Sequence, residues 1–225
     1  MVQLLMEYAK NNNVVIDLNY SFFPYSLLFL ATINNNAEII KLLLTYAKEN
    51  DIYIDINSTE HIEAIVNPYN DEETIYPLLY ATIKNYTEVV RVLVEYAEEN
   101  DCYLEINERS GDHDYYGPGT YPIEQATSNN NMEIVKLLVN YARKKHINLH
   151  QEGFYNDIGH RTSYDEFILI AAQNNNFEMV NFILEYLVEF AFKLELCNRK
   201  DMIESCTKEM IELLNSHKRY ITFEF

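Results

Sequence analysis

Two places in the sequence bring together residues that can bind a metal ion. His146 and His150 are four residues apart, the spacing that pairs two imidazoles on one face of a helix. They follow an apolar helical run, in an alternating segment where this spacing does not bring side chains together. Residues 112–114 read Asp-His-Asp, but the twelfth residue from Asp112 is Ile123, where a calcium loop needs a bidentate glutamate. We expect a metal at neither place.

The sequence also lacks the short motifs of the common enzyme classes. It contains no G-x-S-x-G, no phosphate-binding P-loop and no glycine pattern for a dinucleotide, and no serine or cysteine stands in a recognisable nucleophile context. The three cysteines lie far apart without a C-x-x-C pair, which favours reduced thiols and a cytoplasmic location. We therefore expect a protein that is not an enzyme and that needs no cofactor.

The charge balance narrows the choice of partner. Acidic residues number 35 against 17 basic ones, for a net charge of −18. Nucleic acids and anionic membranes are bound mainly through lysine and arginine, and no apolar run is long enough to span a bilayer. The composition thus speaks against nucleic acid and membrane and favours another protein with a basic surface. The alternative is that the acidic charge serves solubility alone.

One string of residues recurs four times along the chain. It reads ATINNNAEIIKLLLTYA at residues 31–47 and returns in altered form at 81–97, 126–142 and 171–187. Every copy has an alanine, a glutamate seven residues later that opens an apolar run, and a tyrosine eight residues after the glutamate. The alanines are Ala31, Ala81, Ala126 and Ala171, spaced 50, 45 and 45 residues apart. Because the match holds position by position, the string predicts a structural repeat.

Each repeat reads as helix, tight turn, helix, short extended segment and polar loop. The extended segments alternate apolar and polar residues, as in IYIDIN at 52–57 and CYLEIN at 102–107, and all five glycines fall in the loops. The tyrosine of the second helix is expected to pack between repeats. The pattern predicts an N-terminal half-repeat at 1–19, repeats at 20–57, 58–107, 108–152 and 153–197, and a capping half-repeat at 198–225.

These residues resemble the ankyrin repeat, whose pattern contains T-P-L-H-x-A-A, then G-H-x-E-V-V-K-L-L-L and later D-V-N. Pro77, Leu78, Ala81 and Glu88 stand at matching positions, and Asp55-Ile56-Asn57 looks like the D-V-N triplet. The threonine and histidine of the pattern are missing, and the units are longer than the usual 33 or so residues. The resemblance implies an all-α fold: an ankyrin-type solenoid of stacked helix-turn-helix repeats with long finger loops.

The resemblance also implies a function, which is protein–protein interaction through the finger loops and the inner helices. The fingers at 58–75 and 108–119 are acidic and rich in tyrosine, which favours a partner with a basic surface, bound by a monomer. Two alternatives stay open: the finger tyrosines pack on neighbouring loops, or the chain is a structural segment of a longer array without a binding site. The candidate binding residues are Tyr69, Asp71, Glu72, Glu73, Asp112, Asp114, Tyr115, Tyr116 and Tyr155.

The asparagine runs mark the turn between the two helices of a repeat. One asparagine stands four residues after each alanine, where the ankyrin pattern has a glycine, and it persists even in the copy that reads KNYTE. Asparagine tolerates the left-handed conformation better than most residues, so these positions are predicted to be structural and their neighbours permissive. The predicted turn residues are Asn35, Asn85, Asn130 and Asn175.

Overall fold

A computed structural model describes residues 2–19, 25–63, 72–108, 120–149, 167–197 and 200–224. These ranges contain eleven helices and four short strands. The helices are α1 Val2–Asn11, α2 Leu27–Ile33, α3 Ala37–Glu49, α4 Pro77–Ile83, α5 Thr87–Glu99, α6 Pro122–Ser128, α7 Met132–Lys145, α8 Phe167–Gln173, α9 Phe177–Phe190, α10 Lys200–Glu204 and α11 Lys208–Ser216. The strands are β1 Glu60–Glu63, β2 Glu72–Ile75, β3 Leu194–Cys197 and β4 Ile221–Glu224.

The chain divides into two compact units, Met1–Tyr121 and Pro122–Phe225. In the first unit, the helix pairs α2–α3 and α4–α5 stack so that α2 packs on α4 and α3 packs on α5. In the second unit, the pairs α6–α7 and α8–α9 stack in the same way, and α10 packs on α8. Each unit is thus made of stacked helix-turn-helix repeats, and the all-α fold class is confirmed.

Small residues allow the short first helices to pack closely. The repeated alanine is buried in every copy, as is the threonine that follows it in three of them. The hydroxyls of Thr32 and Thr82 donate to carbonyl oxygens one turn earlier, those of Leu28 and Leu78, so burial leaves neither hydroxyl unsatisfied. Of the tyrosines expected to pack between repeats, Tyr46, Tyr141 and Tyr186 are buried, Tyr96 is half-buried and Tyr8 is exposed.

The turn between the two helices has the same geometry in all four repeats. The asparagines four residues after the alanines have φ between 50° and 60°, in the left-handed region. The next residue caps the second helix in three repeats, since the side chains of Asn36, Asn131 and Asn176 accept hydrogen bonds from backbone N–H groups of its first turn. The prediction that both neighbours of the left-handed residue are permissive is therefore wrong for the third asparagine of each run.

A second recurring turn follows each second helix. The residue five positions after the repeat tyrosine has φ between 48° and 55° in every copy, whatever its type. These residues are Asn13, Asp51, Asp101, His146 and Ala191. This second turn was not predicted from the sequence, because only three of the five residues are Asn or Asp, the types that signal such a conformation.

The extended segments differ from their prediction in one respect. Residues 52–55 and 102–105 do not form a strand, and asparagine side chains join them to the neighbouring segments. After α9, however, β3 pairs in parallel with β4, with Leu194 opposite Ile221. In the first unit, β1 and β2 form an antiparallel hairpin in the loop between two repeats, with Glu63 opposite Glu72.

The described ranges contain no group of side chains suited to a metal ion: nowhere in them do three or more His, Cys, Asp or Glu residues lie together so that they could hold one. His146 lies in the turn after α7, and His150 falls outside the described residues. In the same ranges, no helix combines the length and the apolar character that crossing a membrane requires.

Candidate functional site

A row of aromatic and acidic side chains lies on the extended segments of the first unit. Tyr53 is 78% exposed and Tyr103 is 52% exposed, and both occupy the seventh position after the repeat tyrosine. Two residues after each of them stands a carboxylate, Asp55 or Glu105, and the preceding half-repeat contributes Asp17 at the same position. We call these five residues the tyrosine–carboxylate surface.

Asparagine side chains hold the neighbouring segments of this surface together. The Nδ2 of Asn19 donates to the carbonyl oxygen of Tyr53 at 2.8 Å, and the Nδ2 of Asn57 donates to that of Tyr103 at 2.9 Å. The Oδ1 of Asn57 also accepts from the backbone N–H of Glu105 at 2.8 Å. These bonds fix the register of one segment on the next, so the two tyrosines come from adjacent segments at matching positions.

The carboxylates of the surface also shape their own segments. The backbone N–H groups of Asn19, Asn57 and Asn107 donate to side-chain oxygens two residues earlier, at 3.0, 3.0 and 3.2 Å. Such a bond closes a small turn that resembles a backbone turn and leaves the rest of the carboxylate available to solvent. Asp17 and Asp55 are exposed and Glu105 is half-buried, so each remains accessible to a ligand.

Tyrosine hydroxyls anchor the segments to the helices behind them. The Tyr46 hydroxyl accepts from the backbone N–H of Ile16 at 3.0 Å, and in the second unit the Tyr186 hydroxyl donates to the carbonyl oxygen of Ile147. The buried Tyr76, just before α4, donates to the carbonyl oxygen of Glu108 at 2.7 Å. Burial, followed by the negative charge of Glu105, raises the pKa of Tyr76 well above its ordinary value.

The electrostatics of the surface are uniformly acidic. None of the residues in 12–19, 49–57 and 99–107 is basic. Two further carboxylates, Asp51 and Asp101 at the left-handed turn positions, are exposed in these segments. The second unit differs, because its helix α7 carries basic side chains that pair with acids of α9. Lys136 lies 2.9 Å from Glu178 and Arg143 lies 2.7 Å from Glu189. The positions equivalent to the two exposed tyrosines are Asn148 and Lys193 there.

Most of the candidate residues predicted from the finger loops lie outside the described ranges. This applies to Tyr69, Asp71, Asp112, Asp114, Tyr115, Tyr116 and Tyr155, and their role as binding residues stays a prediction. Glu72 and Glu73 are placed on β2, where they pair in register with Glu63 and Ile62 of β1. The backbone of this finger is thus a hairpin at its base, which brings acidic positions of its two strands side by side.

The tyrosine–carboxylate surface was not predicted, although the sequence contains its signal. The alternation in IYIDIN assigns the isoleucines to one face and Tyr53 and Asp55 to the opposite face. The isoleucines of the inward face predict a segment that packs on the helices, and the residues of the outward face are exposed at Tyr53 and Asp55. The recurrence of tyrosine followed by a carboxylate, at Tyr53 and again at Tyr103, could have identified it.

Comparisons with known proteins bear on both units. Residues 1–106 match the family model described as ankyrin repeats, in three copies. A solved ankyrin repeat domain from Acinetobacter baumannii AYE is 16% identical with a TM-score of 0.57, over 96% of this chain and 93% of that chain. A second solved ankyrin repeat protein is 19% identical with a TM-score of 0.48, over 82% of this chain and 74% of that one. No curated protein matches the chain.

Proposed function

We propose that this chain, which is built of ankyrin repeats, is a non-enzymatic module that binds a basic segment of another protein through its tyrosine–carboxylate surface. Ankyrin repeats generally mediate protein–protein interaction, and this supports the broad assignment. One observation supports the more specific proposal of a basic partner. Two adjacent segments each present an exposed tyrosine followed by a carboxylate at matching positions, and neither segment contains a basic residue.

Tyrosine and carboxylate together suit the recognition of arginine and lysine. A tyrosine ring attracts a cation placed over its face, and a carboxylate accepts charge-assisted hydrogen bonds from it. Tyrosine also buries a large area at a small entropic cost, because only two side-chain torsions have to be fixed. Tyr53 and Tyr103 are already held in register by Asn19 and Asn57, so binding does not have to order the backbone beneath them.

Long-range attraction between the acidic protein and a basic partner would add to these contacts. The net charge of −18 accelerates the encounter with a basic partner and repels acidic ones. We propose an extended partner segment, because the two tyrosines lie on successive segments that the side chain of Asn57 joins side by side. The finger carboxylates predicted from the sequence, including Glu72 and Glu73 on β2, are treated as a separate candidate site.

The experiment measures binding of a defined basic probe. A fluorescently labelled peptide of alternating arginine and glycine is titrated with the protein and followed by fluorescence anisotropy. A peptide with glutamine in place of arginine controls for the charge of the probe. The test variant combines Asp17→Asn, Asp55→Asn and Glu105→Gln. These changes remove three charges but keep the side-chain oxygens that accept from Asn19, Asn57 and Asn107.

A matched control separates local recognition from total charge. Glu7→Gln, Glu38→Gln and Glu95→Gln remove the same number of charges from exposed helix positions. We expect the surface variant to weaken binding about tenfold and the control variant to weaken it less than about twofold. Equal losses in the two variants would show that only net charge matters and would refute the proposed site.

Two further arms test the tyrosines and the fingers. The double variant Tyr53→Ser with Tyr103→Ser leaves the charge unchanged, and we expect it to weaken the arginine peptide by a similar factor, because exposed tyrosine rings are typical contact anchors. Neutralising Asp71, Glu72, Glu73, Asp112 and Asp114 tests the finger prediction. If only this finger variant loses affinity, the binding site lies on the loops and not on the tyrosine–carboxylate surface.

We also propose that the protein acts as a monomer in the cytoplasm. The support for the location is the spacing of the three cysteines, which offers no C-x-x-C pair. Light scattering during gel filtration measures the mass directly, and a mass above 26.6 kDa for the isolated chain would refute the monomer. Imaging of the tagged protein in cells tests the location.

A further inference from the structure

An apolar groove lies at one end of the first unit, between α1, α2 and α3. It has a volume of about 480 Å³ and is open to solvent. Ten of its twelve lining residues are apolar, and the other two are Asn34 and Asn36. The groove shares one segment with the tyrosine–carboxylate surface, because Asp17 stands between Ile16 and Leu18 of its lining. None of the five surface residues lines the groove, and the groove is apolar where the surface is polar and aromatic, so the two sites have different chemistry.

The repeat itself indicates what shape fits this groove. In the first unit, α2 packs against α3 and α4. Each groove residue has an equivalent one repeat further along the chain. Leu5 of α1 corresponds to Leu43 of α3, and Leu30 of α2 corresponds to Tyr80 of α4. The groove therefore consists of the same positions that surround α2, and no helix among the described residues fills the place that α2 fills one repeat later.

Exposure at equivalent positions supports this interpretation. Leu5 is 57% exposed, whereas its equivalent Leu43 is 5% exposed. Ile39 and Leu30 are half-buried in the groove, whereas their equivalents, Val89 and Tyr80, are buried. The difference in exposure lies on the side where one further short helix would stand. A short helix in the groove would therefore pack on α2 in the way that α2 packs on α4.

We propose that this groove binds a short amphipathic helix of another protein, of the same type as α2. Burial in the four first helices defines that type. Large apolar residues are buried at the second or third position and small ones at the fifth and sixth, as in Leu28-Phe29 and Ala31-Thr32 of α2. A helix of seven residues is about 10 Å long, and its apolar face enters the groove with the small residues next to Ala31.

The test uses a peptide with the sequence of residues 26–36, SLLFLATINNN, labelled and attached to a polyethylene glycol chain for solubility. Binding to the whole protein is measured by fluorescence anisotropy. Leu5→Lys places a charge in the groove at a position that is already more than half exposed, so the fold should persist. Leu4→Lys is the matched control, because Leu4 is 68% exposed on the same helix and does not line the groove.

We expect saturable binding that Leu5→Lys weakens at least about tenfold and that Leu4→Lys changes less than about twofold. Dependence on Leu5 also shows that the peptide occupies the groove and has not displaced α2 from its own place. A peptide with Leu30→Pro, which cannot form the helix, should not bind. Circular dichroism verifies that both protein variants remain folded. If the Leu5→Lys protein does not fold, Leu30→Lys serves as the second groove variant.

Three results would overturn the proposal. The first is the absence of saturable binding to the folded protein, and the second is an equal loss with Leu4→Lys and Leu5→Lys. The third is concentration-dependent self-association that disappears with Leu5→Lys, because a second copy of the chain would then cover the groove. Binding of the arginine peptide to the tyrosine–carboxylate surface should be unaffected by Leu5→Lys, so the two proposals fail independently.

Discussion

Asn57 is joined to Tyr103, 46 positions further along the chain, by a hydrogen bond of 2.9 Å from its Nδ2 to the tyrosine carbonyl oxygen. The Oδ1 of the same amide accepts from the backbone N–H of Glu105 at 2.8 Å. One amide group therefore bonds to a donor and an acceptor of the neighbouring segment, as a residue in a β-ladder would. In this way a side chain takes the place of a strand pair, and it sets the position of an exposed tyrosine of the proposed site.

The first prediction concerns this amide. Asn57→Ala removes both hydrogen bonds, so the free energy of unfolding should fall by about 2 kcal/mol, at about 1 kcal/mol for each bond. Asn19→Ala removes one such bond, to Tyr53, and should cost about half as much. Urea unfolding followed by circular dichroism measures both values. Equal losses would contradict the assignment of two stabilising bonds to Asn57.

The second prediction concerns the turn inside a repeat. Asn130 has φ of 50°, a conformation that a β-branched residue adopts only with strain, so Asn130→Val should cost about 2 kcal/mol of unfolding free energy. Asn129 is exposed and precedes the turn, and Asn129→Val should cost well under about 1 kcal/mol. Thermal and urea unfolding of the two variants provide the comparison. A loss with Asn129→Val as large as that with Asn130→Val would refute the structural role of the left-handed position.

The helices and the first turn could be predicted from the sequence because each has a local signal that recurs. A buried alanine, an apolar run at helical spacing and an asparagine in the place of a glycine are all visible in the printed string. The role of Asn36, Asn131 and Asn176 as caps was missed, since the comparison with a glycine turn assigns a function only to the middle residue of each run. A capping asparagine directly before an apolar helix is itself a local signal.

The site was harder to predict because it depends on how neighbouring segments are joined. Alternation in IYIDIN predicts an inner and an outer face, but only the bonds from Asn19 and Asn57 show that the outer faces of adjacent segments form one surface. Whether an extended segment becomes a strand is equally non-local. Residues 194–197 do so because a partner strand, 221–224, is supplied from the end of the chain.

The third prediction concerns Ala191, which ends α9 with φ of 54°. An alanine is strained in this region, whereas glycine adopts it freely, so Ala191→Gly should raise the free energy of unfolding by about 1 kcal/mol. Ala142→Gly, inside α7 where φ is helical, should lower it by at least about 1 kcal/mol. A melting temperature that falls for both variants would show that the left-handed turn after α9 is not formed as described.

The fourth prediction concerns the stability of the protein at alkaline pH. Burial raises the pKa of Tyr186 well above its ordinary value of 10.0, although a backbone hydrogen bond involving Leu149 and the charge of Arg143 act in the opposite direction. Above pH 10 the unfolded chain releases the phenolic proton and the folded chain retains it. The free energy of unfolding must therefore fall as the pH rises from 10 toward the pKa of the folded state.

Replacing the phenol of Tyr186 should remove the contribution of this residue to the loss of stability at alkaline pH, and it should also lower the stability near pH 8. Tyr186→Phe loses the hydrogen bond to the carbonyl oxygen of Ile147, so at pH 8 we expect it to be about 1 kcal/mol less stable than the unchanged protein. The difference should shrink as the pH is raised above 10, because only the unchanged protein holds the buried phenolic proton of Tyr186, whereas that of Tyr76 is common to both proteins. Tyr53→Phe, at a position that is 78% exposed, is the control for the loss of a phenolic hydroxyl outside the core. Urea unfolding between pH 8 and pH 11 measures all three proteins, and a constant gap between Tyr186→Phe and the unchanged protein would exclude Tyr186 as a source of alkaline instability.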